Sequence, residues 1–434
     1  MTQFICQPGG SVTGEIRVPG DKSISHRSII LASIAEGVSH ISGFLQGQDS
    51  LDTIKSFQQM GVDIERNQDQ VRVSGVGLHG LRQPTADLDV GNSGTAMRLL
   101  LGLLAGQSFD ARLTGDSSLS SRPMRRVIEP LQLMGAVIDS EPGGRAPLQV
   151  RGGQSLRAIE YDMPVASAQV KSCLLLAGLY TPGETIVHEP APTRDHSERM
   201  LRGFGCEVKT ANGEIRLQGE QVLTACNIDV PADISSAAFF MVAASIADAG
   251  EITLQHVGVN PTRTGVIDIL RLMGADIEIL NRREIGGEPV ADIKLRSASL
   301  KGIDIPEDLV PLAIDEFPVL FVAAACADGI TRLSGAEELR VKESDRIQVM
   351  ADGLASLGVV TEVKPDGIII QGGKIAGGTV DSHGDHRIAM AFSVASLAAS
   401  EAICIMDCAN VNTSFPGFAG LAQKTGLRIS INEG

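Results

Sequence analysis

Lysine, arginine and serine are concentrated in the stretch GDKSISHRS, residues 20–28, where they could bind an anion. Lys22 lies just before a helical pattern, and Ser23 and Arg27 are four positions apart, on one face of that helix. If the helix begins near Ser23, this serine caps it, and the free N–H groups at a helix start favour anions. The stretch predicts a phosphate or carboxylate site, although a capping serine with two solvated cations would have the same pattern.

Further polar stretches occur where other apolar helices are expected to begin. In GNSGTAMR, Asn92 is a candidate cap and Gly94 would let a ligand approach the backbone closely. Pro123 favours an extended Arg122, which could make a bidentate contact with a carboxylate or phosphate. Taken alone, each stretch is equally consistent with a plain helix start or with surface charge. SAQVKS and TRDHSER add Ser167, Gln169 and Arg194.

Two acidic residues, Asp315 and Glu316, lie within the apolar segment PLAIDEFPVLF. A carboxylate in such surroundings is a candidate for proton transfer because burial shifts its pKa. Two later segments, LRVKESDRI and GDHRIAM, mix both charge signs in a pattern that is usual for a solvated helix face. Their candidate residues are Arg340, Lys342, Glu343, Asp345, Arg346, Asp385, His386 and Arg387.

Composition excludes several classes of partner. The 434 residues carry a formal charge of −15, which disfavours nucleic acid, and no apolar run reaches the roughly 18 residues that span a membrane. Seven cysteines without a CxxC pair, and an N-terminus unlike a signal peptide, predict a cytoplasmic protein. The eight histidines are scattered, so neither a metal nor a cofactor is expected. GVGLHG is not followed by a helical pattern and therefore fails as a dinucleotide motif.

A glycine that ends a helical pattern recurs six times along the chain. A second helical pattern, apolar and rich in small residues, precedes each one, and a strand pattern follows nearly all of them. Chance recurrence is the alternative, but six matched pairs of helices favour true repetition. We predict an α/β fold of two similar globular domains, each with three repeated helix-strand-helix-strand-strand units. The glycines are Gly61, Gly135, Gly205, Gly274, Gly358 and Gly426.

The ordered motifs along the whole chain resemble those of the 5-enolpyruvylshikimate-3-phosphate synthase family, in the sequence class that includes glyphosate-tolerant bacterial members. The resemblance implies the inside-out α/β barrel of the enolpyruvyl transferases, a monomer, and a substrate cleft between two domains. One domain would comprise residues 1–20 plus 230–434, and the other residues 21–229. The motifs are PGDKSISHR, GNSGTAMR, SRPM, ASAQVKS, TRDHSERM, NPTRTG, IDEFP, RVKESDR, DHRIAM and TSFP.

The resemblance also implies a reaction, in which the enolpyruvyl group of phosphoenolpyruvate moves to the 5-hydroxyl of shikimate 3-phosphate and phosphate is released. Asp315 would be the base on the hydroxyl, and Glu343 with Lys22 would handle the proton at the methylene carbon. The residues implied for shikimate 3-phosphate are Lys22, Ser23, Arg27, Ser167, Ala168, Gln169, Arg194, Asp315 and Lys342. Those implied for phosphoenolpyruvate are Lys22, Asn92, Gly94, Arg122, Gln169, Arg346, His386 and Arg387.

Departures from the family pattern qualify this expectation. Ala168 stands where many members have a second serine, and Arg194 and His196 replace a lysine and a tyrosine of the other class. Gly94 stands where tolerant relatives carry alanine, so we expect inhibition by glyphosate. Two alternatives are UDP-N-acetylglucosamine enolpyruvyl transferase and a non-catalytic anion-binding module. The first typically carries a reactive cysteine in the loop that here reads GDSSLSSRPM, and the second would not need the acidic residues.

Overall fold

A computed structural model of the chain describes residues 2–433. The α-helices are α1 Lys22–Ile34, α2 Gln48–Gln59, α3 Gly94–Ala105, α4 Ser117–Ser121, α5 Arg125–Leu133, α6 Ala168–Gly178, α7 His196–Gly203, α8 Ile234–Ile246, α9 Gly265–Leu272, α10 Phe317–Cys326, α11 Arg346–Ser356, α12 His386–Ala395, α13 Val411–Ser414 and α14 Phe418–Thr425. Short 3₁₀ helices span Glu307–Leu309, Glu337–Val341 and Ser396–Ala398.

The strands lie before, between and after these helices, singly or in groups of two or three. They are β1 Thr2–Cys6, β2 Val12–Ile16, β3 Glu36–Ser42, β4 Asp63–Asn67, β5 Gln70–Val76, β6 Leu88–Asp89, β7 Ala111–Thr114, β8 Val137–Glu141, β9 Arg145–Arg151, β10 Glu160–Asp162, β11 Glu184–His188, β12 Val208–Ala211, β13 Glu214–Gln218, β14 Ile228–Asp229, β15 Gly250–Gly258, β16 Asp276–Ile285, β17 Glu288–Arg296, β18 Ile330–Leu333, β19 Val360–Lys364, β20 Gly367–Gln371, β21 Gly378–Asp381, β22 Ile403–Met406 and β23 Ile429–Glu433.

The six predicted helix-ending glycines all adopt the left-handed backbone conformation, with φ between 81° and 116°. The residue after each glycine donates its backbone N–H to a carbonyl one turn back, as Val62 does to Phe57 and Leu427 does to Ala422. This is the Schellman arrangement, which satisfies carbonyls that the helix end would otherwise leave unpaired. The prediction of a sixfold repeated helix end is confirmed.

Each repeat forms one small sheet with the same strand pattern. The last strand lies antiparallel between the first and the second, and in the four-stranded sheets a short edge strand runs parallel to the first. In the three-stranded sheet, isolated parallel bridges pair Lys301 with Asp328 and Asp304 with Arg332 at this edge. The four-stranded sheets are β14-β3-β5-β4, β6-β7-β9-β8, β10-β11-β13-β12, β16-β17-β15-β2 and β21-β22-β1-β23, and the three-stranded sheet is β18-β20-β19.

The N-terminal strands complete sheets whose other strands come from the second half of the chain. β1 pairs antiparallel with β22 and β23, and β2 pairs parallel with β15. β1 thereby takes the position that a local third strand takes in the other repeats. Without it, β22 and β23 would each expose an unpaired edge.

The first helix of each repeat is buried on nearly all sides, since its residues are mostly aliphatic or small. In α8, every residue except Ile246 is buried. Small residues let such helices approach closely: a Cβ built at Gly102 of α3 would lie 2.1 Å from the carbonyl oxygen of Cys173 of α6. No helix within residues 2–433 combines the length and apolar character needed to cross a membrane.

The chain divides into two compact units, each with its own hydrophobic core. The discontinuous unit consists of the described residues up to Pro19, Pro231–Arg283 and those from Pro289 onward, and the continuous unit of Gly20–Val230 with Glu284–Glu288. The predicted crossings at residues 20 and 230 each lie one residue from these limits. The turn at 284–288 was predicted to belong to the discontinuous domain. It groups with the continuous unit, because Glu288 lies 2.8 Å from His196 and Gly287 accepts a hydrogen bond from Arg199.

Candidate active site

The entrance to α1 carries the first predicted cluster. Asp21, not Ser23, is the cap: its carboxylate accepts the backbone N–H of Ile24 at 2.8 Å, and the helix begins at Lys22. The predicted capping role of Ser23 is therefore wrong, because the acidic side chain two residues earlier reaches the free N–H groups first. Lys22 Nζ lies 2.5 Å from Asp49 Oδ2, in a half-buried pair that holds the ammonium at this entrance.

Arg27 lies one turn into α1 and is only 4% exposed. Its Nε donates to the Ser197 hydroxyl and its Nη2 to the Ser172 hydroxyl, both at 2.7 Å, while Nη1 donates to the Ser23 carbonyl at 3.0 Å. Burial lowers the pKa of Arg27 to about 10, and Glu198 acts in the opposite direction. The guanidinium therefore stays charged at neutral pH and is held by α1, α6 and α7.

The entrance to α3 brings Asn92 and Arg122 together. Arg122 has the extended backbone that its proline predicted, and its Nη2 donates to Asn92 Oδ1 at 2.8 Å. Asn92 also donates to Asp116 at 2.7 Å. The predicted capping role of Asn92 is wrong, since Ser93 accepts the N–H that needs a partner, that of Ala96, at 3.1 Å. The amide of Asn92 instead orients Arg122.

Gly94 is the first residue of α3 and lies beside two guanidinium groups. A Cβ built there would be 2.7 Å from Arg98 Nη1 and 3.6 Å from Arg122 Nη1. Arg98 donates to Gln169 Oε1 at 2.8 Å, and Gln169 donates to Thr95 at 2.9 Å. Sequence reasoning did not single out Arg98 or Thr95. The spacing that marked Ser23 and Arg27 recurs between Gly94 and Arg98, and that signal could have found the arginine.

The entrance to α6 follows the sequence prediction. Ser167 caps the helix by accepting the N–H of Val170 at 3.4 Å, and the half-buried Ala168 is the first helical residue. Arg194 lies half-buried between β11 and α7, and its charge contributes to lowering the pKa of Arg27. Because these two cations repel each other, an anion placed beside both would be bound favourably.

In the discontinuous unit, the candidate residues surround Arg346, the first residue of α11. Its side chain is 1% exposed and contacts three carboxylates: Nε lies 2.8 Å from Asp385, Nη2 2.6 Å from Glu343 and Nη1 3.3 Å from Asp315. Burial lowers the pKa of this guanidinium, but the three carboxylates outweigh burial and raise it above its usual range. Arg346 is therefore a permanent charge that fixes both predicted acid–base carboxylates.

Asp315 also lies 3.6 Å from Lys342 Nζ, and its side chain is 14% exposed. Its neighbour Glu316 has a different environment. Glu316 is buried, accepts a hydrogen bond from Ser235 and lies 3.7 Å from Arg263. Of the two acidic residues in this apolar segment, Asp315 is the one that contacts other predicted site residues.

Asp385 organises the entrance to α12. It is fully buried, accepts the backbone N–H of Arg387 at 3.0 Å and the hydroxyl of Ser344 at 3.1 Å, and contacts Arg346 as described above. His386 and Arg387 occupy the first turn of this helix. Asp385 thus joins the start of α12 to the segment that carries Lys342 and Glu343.

Each unit, taken by itself, groups its own kind of candidate residues. The continuous unit presents cations and helix starts suited to anionic oxygens, and the discontinuous unit presents carboxylates beside Lys342 and Arg346. Within the described part of the chain, no group of His, Cys, Asp or Glu could hold a metal ion. Cations at helix starts suit phosphate and carboxylate groups, and carboxylates are suited to proton transfer.

His26 of α1 is buried, with Nδ1 at 2.8 Å from Thr53 and Nε2 at 3.4 Å from Ser93. Burial, helped by Lys22, lowers the pKa of His26 to about 3. In the unfolded chain His26 binds a proton below its ordinary pKa of 6.5, whereas in the folded chain it stays neutral until the pH approaches 3. The free energy of unfolding that His26 contributes is therefore fully present above pH 6.5 and is lost as the pH falls toward 3.

We expect His26→Gln to flatten the acid loss of unfolding free energy by roughly 1 kcal/mol per pH unit below 6. Urea unfolding between pH 7 and pH 4.5 would measure this slope, with the exposed His40→Gln as the matched control. Equal slopes in His26→Gln and the parent protein would contradict the prediction.

Comparison with known proteins gives a consistent result. The family model described as EPSP synthase (3-phosphoshikimate 1-carboxyvinyltransferase) matches residues 6–421. The 3-phosphoshikimate 1-carboxyvinyltransferase of Alkalilimnicola ehrlichii is 66% identical over 430 residues, covering 99% of this chain and 96% of the relative. That of Methylococcus capsulatus is 63% identical, covering 99% and 98%. A solved EPSP synthase from Acinetobacter baumannii superposes with a TM-score of 0.92 at 55% identity, covering 100% of both chains.

Proposed function

Because this chain belongs to the EPSP synthase family, we propose that it transfers the enolpyruvyl group of phosphoenolpyruvate to the 5-hydroxyl of shikimate 3-phosphate, with release of phosphate. It is a transferase of the shikimate pathway, which leads to chorismate and the aromatic amino acids. The observation that carries this function is the family match along residues 6–421.

For shikimate 3-phosphate we propose a site that both units share. Arg27 and Arg194 bind its phosphate, helped by the N–H groups at the α6 entrance. Ala168 lacks a hydroxyl, so its contact is made through the backbone. Asp315 and Lys342 contact the ring hydroxyls, since they form a half-buried pair of opposite charge. The full proposed set is Lys22, Ser23, Arg27, Ser167, Ala168, Gln169, Arg194, Asp315 and Lys342.

For phosphoenolpyruvate we propose the cations that follow other helix starts. Arg122, oriented by Asn92, and Arg387, at the start of α12, neutralise the phosphate and carboxylate. Gly94 lets the ligand approach the α3 entrance. Arg346 contributes through its positive charge and the one N–H of Nη1 that its three carboxylates do not use. The full proposed set is Lys22, Asn92, Gly94, Arg122, Gln169, Arg346, His386 and Arg387.

The proposed chemistry is addition followed by elimination. Asp315 takes the proton of the 5-hydroxyl as its oxygen bonds to C2 of phosphoenolpyruvate, and Glu343 with Lys22 supplies a proton to the methylene carbon. In the second step that carbon returns a proton while the C2–O bond to phosphate breaks. The cations stabilise the charge on the phosphate and carboxylate through both steps.

Phosphate release measured with each substrate alone and with both together tests this function. We expect release only when phosphoenolpyruvate and shikimate 3-phosphate are both present. Release with UDP-N-acetylglucosamine as the acceptor would instead identify the other enolpyruvyl transferase. Binding of both ligands without any release would identify a non-catalytic anion-binding module.

We also propose that the protein works as a monomer in the cytoplasm. All seven cysteines are unpaired, and burial raises the pKa of the Cys173 and Cys206 thiols, which keeps these groups protonated. Unpaired cysteines are usual for proteins of reducing compartments.

Glyphosate is expected to inhibit this enzyme in competition with phosphoenolpyruvate, because Gly94 leaves room beside Arg98 and Arg122. The methyl group of Gly94→Ala would occupy space now 2.7 Å from Arg98 Nη1, so this guanidinium must move, and we expect the inhibition constant to rise about tenfold or more. Inhibition measured at several phosphoenolpyruvate concentrations checks this. Full activity of the parent enzyme at glyphosate levels far above its KM for phosphoenolpyruvate would contradict the expectation.

A further inference from the structure

A buried lysine that has no place in the proposed chemistry lies directly beneath the α6 entrance. Lys171 is 0% exposed, and its Nζ lies 2.7 Å from Glu198 on α7 and 2.9 Å from Glu189, which follows β11. The two carboxylates are 1% and 7% exposed. One ammonium group thus joins three separate elements of the continuous unit.

Each of these elements also carries a residue that contacts, or adjoins in the chain, one of the two arginines proposed to bind the phosphate. On α6, Ser172 accepts a hydrogen bond from Arg27, and on α7 Ser197, beside Glu198, accepts another from the same guanidinium. The Ser197 hydroxyl in turn donates to Ser172 at 2.7 Å. The hydrogen-bonding position of Arg27 therefore depends on how α6 and α7 are held together.

The loop that follows β11 carries Arg194, the second of these arginines. Thr193 donates its hydroxyl to Glu189, and Arg194 is the next residue along the chain. The carboxylate that holds this loop is itself held by Lys171. Lys171 is therefore the chain neighbour of Ser172, which contacts Arg27, and the ion-pair partner of Glu189, which contacts the residue before Arg194.

The charges of this buried group balance only when both cations are counted. Lys171 and Arg27 oppose Glu189 and Glu198, and Glu198 is the carboxylate that acts most strongly to keep Arg27 charged. Burial raises the pKa of Glu189, and Lys171 partly offsets that effect. A buried ion group of this kind contributes little net stability compared with apolar residues of the same size, but it specifies one arrangement when every member is present.

We propose that Lys171 is a positioning residue for the phosphorylated acceptor. It fixes α6, α7 and the Thr193–Asp195 loop relative to one another, so that Arg27 and Arg194 meet the same phosphate group. This inference rests on the proposed function, because it concerns how the acceptor of that reaction is bound.

Lys171→Met removes the charge and keeps an unbranched side chain only one atom shorter. We expect the KM for shikimate 3-phosphate to rise about 10- to 100-fold, because small displacements of positioned groups have effects of this size. The KM for phosphoenolpyruvate and the turnover number at saturating acceptor should change far less. Binding of shikimate 3-phosphate, measured by titration calorimetry, should weaken by the same factor.

A second variant separates positioning from charge balance. Lys171→Met/Glu189→Gln keeps an acceptor for the Thr193 hydroxyl and leaves Glu198 paired in charge with Arg27. It should regain thermal stability relative to Lys171→Met, yet still bind shikimate 3-phosphate weakly, because the tie between α6 and the loop is missing. Leu175→Ala, fully buried in the same helix, is the matched control and should lower the melting temperature without altering the ratio of the two KM values.

Three outcomes would overturn the inference. One is an unchanged KM for shikimate 3-phosphate in Lys171→Met, and another is full recovery of acceptor affinity in the double variant. The third is that Lys171→Met, like Leu175→Ala, changes the KM for shikimate 3-phosphate and the KM for phosphoenolpyruvate by the same factor. A parent protein that neither binds shikimate 3-phosphate nor releases phosphate would instead refute the proposed function itself.

Discussion

Asp315→Asn should lower the turnover number by about a thousandfold, within the range expected when a general base is removed. Asparagine keeps the shape of the side chain, but its amide cannot accept the proton of the acceptor hydroxyl. The carboxylate lies 3.3 Å from Arg346 and 3.6 Å from Lys342, two cations that hold it in one place. Burst and steady-state phosphate release would measure the loss, and calorimetry would show that shikimate 3-phosphate still binds.

The matched control for this variant is Asp304→Asn. Asp304 belongs to the same unit, and its exposed side chain pairs with Arg332 at 3.0 Å on the surface. Its loss should leave turnover unchanged. If Asp315→Asn keeps more than about a tenth of the parent turnover, an amount that general-base loss does not allow, Asp315 is not the base.

Arg346→Met should be the most destabilising of the substitutions considered, by about 3–5 kcal/mol in the free energy of unfolding. The guanidinium is 1% exposed and contacts Asp385, Glu343 and Asp315, so its removal leaves three neighbouring carboxylates without their central cation. Urea unfolding at neutral pH measures the loss. The variant should also be inactive even where it is folded, since two of the carboxylates are the proposed acid–base groups.

A surface arginine in the same unit provides the comparison for Arg346. Arg332 pairs with Asp304 and is 52% exposed, so Arg332→Met should cost less than about 1 kcal/mol. If the two methionine variants lose similar stability, the buried cluster is not the organising contact that its geometry indicates.

Much of the fold could be predicted because its signals are local. Gly61 and its five counterparts end helices by a contact within one turn, and the six apolar helices with their following strands are periodic patterns in short windows. Polar residues at a helix entrance, such as Lys22, Gln169 and His386, are recognisable for the same reason, without knowledge of any partner.

Local signals also misled where two candidates compete for the same role. Ser23 and Asn92 both fit a helix cap, yet Asp21 and Ser93 accept the N–H groups. Neighbouring residues with similar capping ability cannot be ranked by type alone, since the backbone angles decide which side chain reaches the helix end. Asn92, which does not cap the helix, instead accepts a hydrogen bond from Arg122, 30 positions along the chain.

The sequence by itself determined the sixfold repeat, the helix entrances and the types of residue that stand there, because each depends on hydrogen bonds and periodicity within a few residues. Tertiary structure alone decided which of those residues meet. Lys171 with Glu189 and Glu198, Arg346 with Asp315 and Asp385, and β1 between β22 and β23 are all contacts between segments distant in the chain. A charged residue in a helical pattern gives no sign of whether it faces water or a buried partner, since that depends on how separate elements pack.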